Sequence, residues 1–152
     1  MSSDPVLFRQ GGLSFATGLS RYLDSEGEGP ASESRILVRV RPEPGVEPVL
    51  AILDTGAPWC IFAPEVSSSF ARYLEPVSGP ILLSTRLGMF RGGLHRRVIT
   101  LTAERGEPLN VEATVFMSPD WPGPNFLGYQ GLLQRIRFAI DPENNLFYFG
   151  RI

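Results

Sequence analysis

The sequence predicts an all-β domain, built as a small β-barrel or a β-sandwich. Two observations support this fold class: the chain is a succession of short apolar or alternating segments, and turns rich in glycine and proline separate them. Its 152 residues include 16 glycines and 14 prolines, and one late segment has the apolar spacing of a helix. This length favours a single domain with a sizeable core.

The first part of the chain, residues 1–34, differs from the rest and is interpreted as an N-terminal arm. Residues 13–23 are apolar enough to pack on a surface, whereas residues 25–34 are polar and rich in Gly and Ser, as linkers are. We therefore expect the folded domain to span residues 35–152.

The domain is predicted to begin with a β-hairpin. In residues 36–41, the β-branched Ile36, Val38 and Val40 alternate with Leu37, Arg39 and Arg41. The loop at 42–45 contains two prolines and a glycine, and an apolar strand follows at 49–53. A helical turn is expected within residues 64–74.

A second strand pair is predicted at residues 81–87 and 95–103, with a glycine-rich tip at 88–93 between them. A further strand follows at 111–117. Residues 118–124 contain three prolines, which remove backbone donors, so this segment is expected to be irregular.

The chain is predicted to end with a short helix and a closing hairpin. Leu132, Leu133 and Ile136 have helical spacing within residues 128–136. Residues 137–140 and 146–149 then flank a turn at 141–145.

The motif Asp54-Thr55-Gly56-Ala57 is the main candidate for chemistry. It follows the apolar run at 49–53, where a carboxylate must be paired, neutralised or used. Gly56 lets the backbone turn sharply and lets a ligand approach closely. The alternative interpretation is an aspartate that merely caps a turn.

Three features in order resemble the retropepsin family of aspartic proteases: this motif, the long hairpin at 81–103, and Asn125-Phe126-Leu127-Gly128 before the predicted helix. The resemblance covers residues 35–150. It implies a small closed β-barrel of the acid-protease type with a flap hairpin and one short C-terminal helix. The end hairpin is more similar to cellular or bacterial members of the family than to viral ones.

The resemblance also implies roles for individual residues. Asp54 would be the catalytic carboxylate, Thr55 would hydrogen-bond its counterpart across a dimer axis, and Gly56 would lie beneath the substrate backbone. Residues 126–128 would brace the Asp54 loop, and the hairpin would close on substrate as a lid. The predicted substrate-binding residues are Ala57, Trp59, Met89, Phe90 and Leu127.

Packing is the alternative role for Trp59, Met89 and Phe90. Asp54 is the only aspartate followed by Thr-Gly or Ser-Gly. Because the chemistry needs two carboxylates, the resemblance implies a homodimer with one active site on its two-fold axis. Pro58 and Tyr129 stand where many viral members carry an Asp and an Arg that form an ion pair.

These features predict an aspartic endopeptidase that cleaves extended peptides with apolar residues around the cut, best at mildly acid pH. The alternative is a dimeric module that binds peptides without cutting them. The net charge of −2 gives no reason to expect a nucleic acid or a membrane as partner. His95 has no Cys or second His to form a metal site, and we expect no cofactor. The single cysteine, Cys60, suits a reducing compartment, so a cytoplasmic protein is expected.

Overall fold

The computed structural model describes residues 12–25, 34–67, 75–76 and 79–152. Within these residues the chain is mostly β, as predicted, with one short α-helix, α1 (Pro64–Ser67), and a 3₁₀ helix at Leu133–Arg135. The rest of the helical turn predicted within 64–74 lies outside the described residues. The strands are β1 (Gly18–Arg21), β2 (Leu23–Ser25), β3 (Ser34–Arg41), β4 (Val49–Leu53), β5 (Cys60–Ile61), β6 (Glu75–Pro76), β7 (Ile81–Thr85), β8 (Gly88–Leu101), β9 (Arg105–Gly106), β10 (Leu109–Met117), β11 (Phe126–Leu127), β12 (Ile136–Asp141) and β13 (Leu146–Arg151).

The larger sheet carries the strands around Asp54, in the order β2-β3-β4-β11-β5-β10-β8-β6, with β7 paired to β8. The predicted first hairpin is confirmed, because β3 and β4 pair antiparallel with Val38 opposite Ala51. At its far end β3 also pairs with β8, with Val40 opposite Leu101. The short strand β11 lies between β4, to which it is parallel, and β5, to which it is antiparallel.

The smaller sheet has the order β12-β13-β1-β9. It confirms the predicted closing hairpin, in which Phe138 pairs with Phe149. Strand β1 comes from the segment interpreted as an arm, and it pairs with β13 along Gly18–Arg21. Strand β2, from the same segment, pairs with β3 of the larger sheet, so both described strands of the arm lie in the sheets. The division at residue 34 remains a prediction.

Two apolar clusters form the interior of the described part of the chain, and β10 lies between them. Its successive side chains point to opposite faces, so Val115 enters the main core while Phe116 enters a second cluster. The buried members of this second cluster are Ile61, Leu94, Phe116 and Trp121, and Trp59, Ile81, Leu83, Phe90 and Phe126 pack around them.

The prediction of a hairpin tip at residues 88–93 is wrong. Thr85 pairs with Gly88, so the hairpin turns at residues 86–87, and β8 runs unbroken to Leu101. Gly92 lies inside this strand, and the position needs a glycine because a Cβ there would come within 2.1 Å of the Met117 carbonyl oxygen. The glycine serves a close approach of two backbones and not a turn.

The predicted helix at 128–136 is also not found as such. Leu132 has φ −150 and ψ −52, and only Leu133–Arg135 forms a 3₁₀ turn. The backbone of Gly131 bonds outside the segment: its N–H donates to Pro58, and its carbonyl accepts from Thr114. At Gly131, these tertiary hydrogen bonds take the place of the backbone bonds that a helix would form. Among the described residues, no helix has the length and apolar character to cross a bilayer.

Candidate active site

Asp54 is the first residue after β4, and a tight turn follows it. One carboxylate oxygen, Oδ1, accepts a hydrogen bond from the Gly56 N–H at 2.8 Å. The Asp54 carbonyl accepts a second bond from the Ala57 N–H at 3.2 Å. The side chain is half-buried, whereas Thr55 and Gly56 are exposed. The turn therefore holds the carboxylate at the surface by a donor from its own backbone.

Strand β11 supports this turn from one side. The Asp54 N–H donates to the Leu127 carbonyl at 3.1 Å, and the Ile52 N–H donates to the Asn125 carbonyl at 2.8 Å. These bonds belong to the parallel pairing in which Leu127 lies opposite Leu53. The direction of the chain into Asp54 is thus set by a sheet and not by a free loop.

The residues after β11 support the other side of the turn. The Tyr129 N–H donates to the Ala57 carbonyl at 2.7 Å, and the Gly131 N–H donates to Pro58 at 2.9 Å. Gly128 passes so close to Trp59 that a Cβ there would lie 2.3 Å from the Trp59 carbonyl oxygen. The apolar-apolar-glycine motif therefore braces the Asp54 turn by backbone contact.

The side chain of Asn125 is a functional candidate that the sequence reasoning did not single out. Its Oδ1 accepts from the Ala63 N–H at 2.8 Å, and its Nδ2 donates to the Leu50 carbonyl at 3.0 Å. Leu50 lies on β4 and Ala63 follows β5, so one carboxamide joins the chain before and after the turn. The only signal in the sequence is an amide directly before the apolar-apolar-glycine motif.

The structure brings two of the predicted substrate-binding residues into one cluster. Trp59 and Phe90 both pack around the second cluster, and the Phe90 ring meets Trp121 edge-on at 5.2 Å. Trp121 in turn contacts Phe126 at 5.9 Å. Phe90 therefore anchors the inner face of the β7–β8 hairpin to the loop at 118–124.

Other predicted substrate-binding residues lie elsewhere. Met89 is 57% exposed, on the outer face of the hairpin. Leu127 is fully buried in the main core, so its carbonyl, and not its side chain, reaches Asp54. Ala57 is half-buried in the turn itself. Tyr129, which stands where many viral retropepsins carry the Arg of an ion pair, was not a predicted substrate-binding residue and is 45% exposed.

Cys60 lies directly behind the turn and is chemically inert. Its side chain is buried, and this burial raises the pKa of the thiol to about 12, against weaker lowering by a Gly128 backbone hydrogen bond and by Arg135. The thiol is therefore neutral at physiological pH and cannot serve as a nucleophile.

The fold is similar to that of a solved structure, a retropepsin-like aspartic protease from Rickettsia conorii. The likeness covers 75% of this chain and 88% of that chain, with a TM-score of 0.50 and 15% sequence identity. No model of a known protein family matches the sequence, and no curated protein matches it. The similarity is thus one of fold: the chain is mostly β, and its architecture is similar to that of a retropepsin-like protease.

Proposed function

We propose that this chain is an aspartic endopeptidase that acts as a homodimer. The observation that carries the proposal is the placement of Asp54: it directly follows a sheet strand, its N–H is bonded to Leu127, and its carboxylate is presented at the surface of a retropepsin-like fold. In the dimer, two Asp54 carboxylates would share one proton, because two like charges so close cannot both ionise.

The shared proton permits general acid–base hydrolysis without a covalent intermediate. One carboxylate takes a proton from a water molecule as the water oxygen attacks the scissile carbonyl carbon. The protonated carboxyl donates its proton to the carbonyl oxygen, giving a gem-diol. As the diol collapses, one of its hydroxyls returns a proton to the second carboxylate and the carbonyl re-forms. The C–N bond breaks, and the leaving nitrogen takes up the proton held by the first carboxylate, which restores the singly protonated pair.

The proposed dimer axis passes beside Thr55. The chain holds a single Asp-Thr-Gly motif, so the second carboxylate must come from another copy. Thr55 is exposed next to Asp54, where its hydroxyl could bond the same residue of a partner and keep the two carboxylates coplanar. We interpret the strand pairings that link β3 to both β4 and β8 as the closed barrel of each protomer.

The proposed substrate is an extended peptide with apolar side chains around the cut. Gly56 is exposed, so a peptide backbone can approach it and bond its main chain. The half-buried faces of Trp59 and Phe90 offer apolar surface. We assign the β7–β8 hairpin as the lid of this site.

Cleavage of a diverse peptide mixture at pH 4 to 7, read by mass spectrometry, tests this proposal. Wild type, Asp54→Asn and the matched surface change Asp120→Asn are compared at high protein concentration. We expect the same cuts from wild type and Asp120→Asn and none from Asp54→Asn. Cuts that persist in Asp54→Asn would contradict the mechanism. Silence of all three as confirmed dimers would favour the peptide-binding module.

A further inference from the structure

Asn125 makes hydrogen bonds with both its backbone and its side chain to the segments that flank the Asp54 turn. Its carbonyl accepts from the Ile52 N–H, its Oδ1 accepts from the Ala63 N–H, and its Nδ2 donates to the Leu50 carbonyl. The three distances lie between 2.8 and 3.0 Å. One residue thus connects β4, which leads into the turn, with the chain that leaves it.

The chemistry of this side chain matches the two groups it meets. A backbone N–H requires an acceptor and a backbone carbonyl requires a donor, and a carboxamide offers both on one rigid plane. Ala63 is buried, so losing the Asn125 side chain would leave the Ala63 N–H with reduced access to water. An alanine supplies neither group, and an ionised carboxylate supplies only the acceptor.

We propose that Asn125 is the positioning residue that fixes the two ends of the Asp54 turn, and through them the direction of the Asp54 carboxylate. The catalytic part of this inference rests on the proposed protease function. Backbone bonds from Asp54 to Leu127 and from Tyr129 to Ala57 hold the turn directly, whereas the Asn125 side chain joins the segments that carry it, because it bonds Leu50 on β4 and Ala63 after β5. Without this tie, the segments before and after the turn lose their side-chain connection, so small displacements of the turn become easier.

Kinetics of Asn125→Ala provide the first test, with Asn110→Ala as the matched control. Asn110 on β10 accepts an exposed hydrogen bond from the hydroxyl of Thr100 on β8, so the same atoms are removed at a site outside the turn. We expect kcat of Asn125→Ala to fall by about 10- to 100-fold with KM little changed, because small displacements of a reacting group carry costs of this order. An unchanged kcat, or an equal fall in Asn110→Ala, would overturn the proposal.

Amide hydrogen exchange gives a second readout that needs no enzymatic activity. Asn125→Ala should speed the exchange of the Ala63 and Gly56 amides, while amides in β12 and β13 keep their wild-type rates. Unchanged exchange at Ala63 and Gly56 overturns the inference. If wild type cuts no peptide but exchange responds as expected, the protease function fails and the tie at the turn stands.

Asn125→Asp keeps the inference testable if the alanine variant does not fold. This change retains the acceptor for Ala63 but turns a carboxylate oxygen toward the Leu50 carbonyl. That repulsion favours the protonated carboxyl, whose O–H can donate to Leu50. The ratio of variant to wild-type activity should rise as pH falls; a constant ratio would overturn the role of the donor.

Discussion

The backbone N–H of Asp54 donates a hydrogen bond to the carbonyl of Leu127 at 3.1 Å, which joins the candidate catalytic residue to a buried core residue. Asp54 directly follows β4, and Leu127 ends the neighbouring parallel strand β11. The chain between residues 54 and 127 must therefore fold before Leu127 lies beside Asp54. The position of the carboxylate therefore depends on the folded domain as well as on its local bond to the Gly56 N–H.

Gly128 should not tolerate a side chain. The Cβ of Gly128→Ala would lie within 2.3 to 2.7 Å of three backbone atoms of Trp59, none of which can rotate away. We expect Gly128→Ala to lower the free energy of unfolding by about 1–3 kcal/mol, as overpacking does. Urea denaturation checks this value. Gly79→Ala is the control, because nothing lies within 4 Å of a Cβ at that position, and equal stability of the two variants would contradict the brace.

Gly56→Ala should impair catalysis more than stability. A Cβ there would lie 3.2 Å from Asp54 Oδ1, so the carboxylate must move by a few tenths of an ångström. We expect kcat to fall by roughly tenfold or more, because a reacting group tolerates little displacement, while the unfolding midpoint changes little at this exposed position. Kinetics and thermal denaturation of the same preparation separate these effects. A loss of stability without a loss of kcat would contradict the proposed role of Asp54.

The sequence was sufficient to predict the elements whose signals are local. The β3–β4 hairpin follows from alternation and a Pro/Gly loop, and the Asp54 turn from a carboxylate and a glycine after an apolar run. The glycine and leucine patterns led to wrong predictions where tertiary contacts, and not local structure, required these residues. Gly92 permits contact with the Met117 backbone, and the spacing of Leu132 and Leu133 fits a tight turn bonded to other strands as well as a helix.

The bracing of the site could be predicted only in part. Three consecutive residues at 126–128 signalled a support for the turn, and their backbone provides it. The side-chain bonds of Asn125 could not be read from the sequence, because their partners are backbone groups of Leu50 and Ala63 that any residue type would carry. Likewise, an apolar residue such as Leu127 gives no sign of whether it faces the core or a cleft.

Mixing wild type with Asp54→Asn should reveal whether two copies build one site. If each active site needs two Asp54 residues, only wild-type homodimers are active, and activity falls as inactive chains capture active ones. At constant total protein we expect activity to follow the square of the wild-type fraction after subunits exchange. A titration of the mixture with a fluorogenic peptide measures this dependence. A linear dependence would indicate that each chain works alone.

Cys60 should make stability depend on pH in alkaline solution. Burial raises its pKa from 9.0 to about 12, so the native state holds the thiol proton more tightly than the unfolded state. The stability from the neutral thiol is therefore complete below pH 9 and declines as pH rises from 9 toward 12. Between pH 8 and 10 we expect wild type to lose about 1 kcal/mol relative to Cys60→Ala, given 1.36 kcal/mol per pKa unit.

Urea denaturation of both proteins at the two pH values measures the difference, and comparison with the alanine variant cancels every contribution that the two proteins share. Alkylation of Cys60 at pH 8 provides a second measurement. It should be slow in buffer and fast in urea, because only the unfolded thiol reaches the reagent. Rapid labelling of the native protein would contradict the burial of this residue.

Trp121 should hold the β7–β8 hairpin against the body of the protein. Its side chain is 3% exposed, its Nε1 donates to the Pro124 carbonyl at 3.0 Å, and its ring contacts Phe90. We expect Trp121→Ala to lower the free energy of unfolding by about 3–5 kcal/mol, as for other buried tryptophans. In the variant that remains folded, exchange of the Phe90 amide should quicken more than that of amides in β13.

The matched control for this prediction is Leu82→Ala on the same hairpin. Leu82 is 56% exposed on the outer face, opposite to that of Phe90, so its loss should change stability by less than about 0.5 kcal/mol. If the two substitutions quicken exchange in the hairpin equally, the hairpin is held by its own pairing. If only Trp121→Ala quickens exchange, the loop at 118–124 determines how readily the proposed lid opens. Variants of Trp121 should then alter KM for large peptides before they alter kcat.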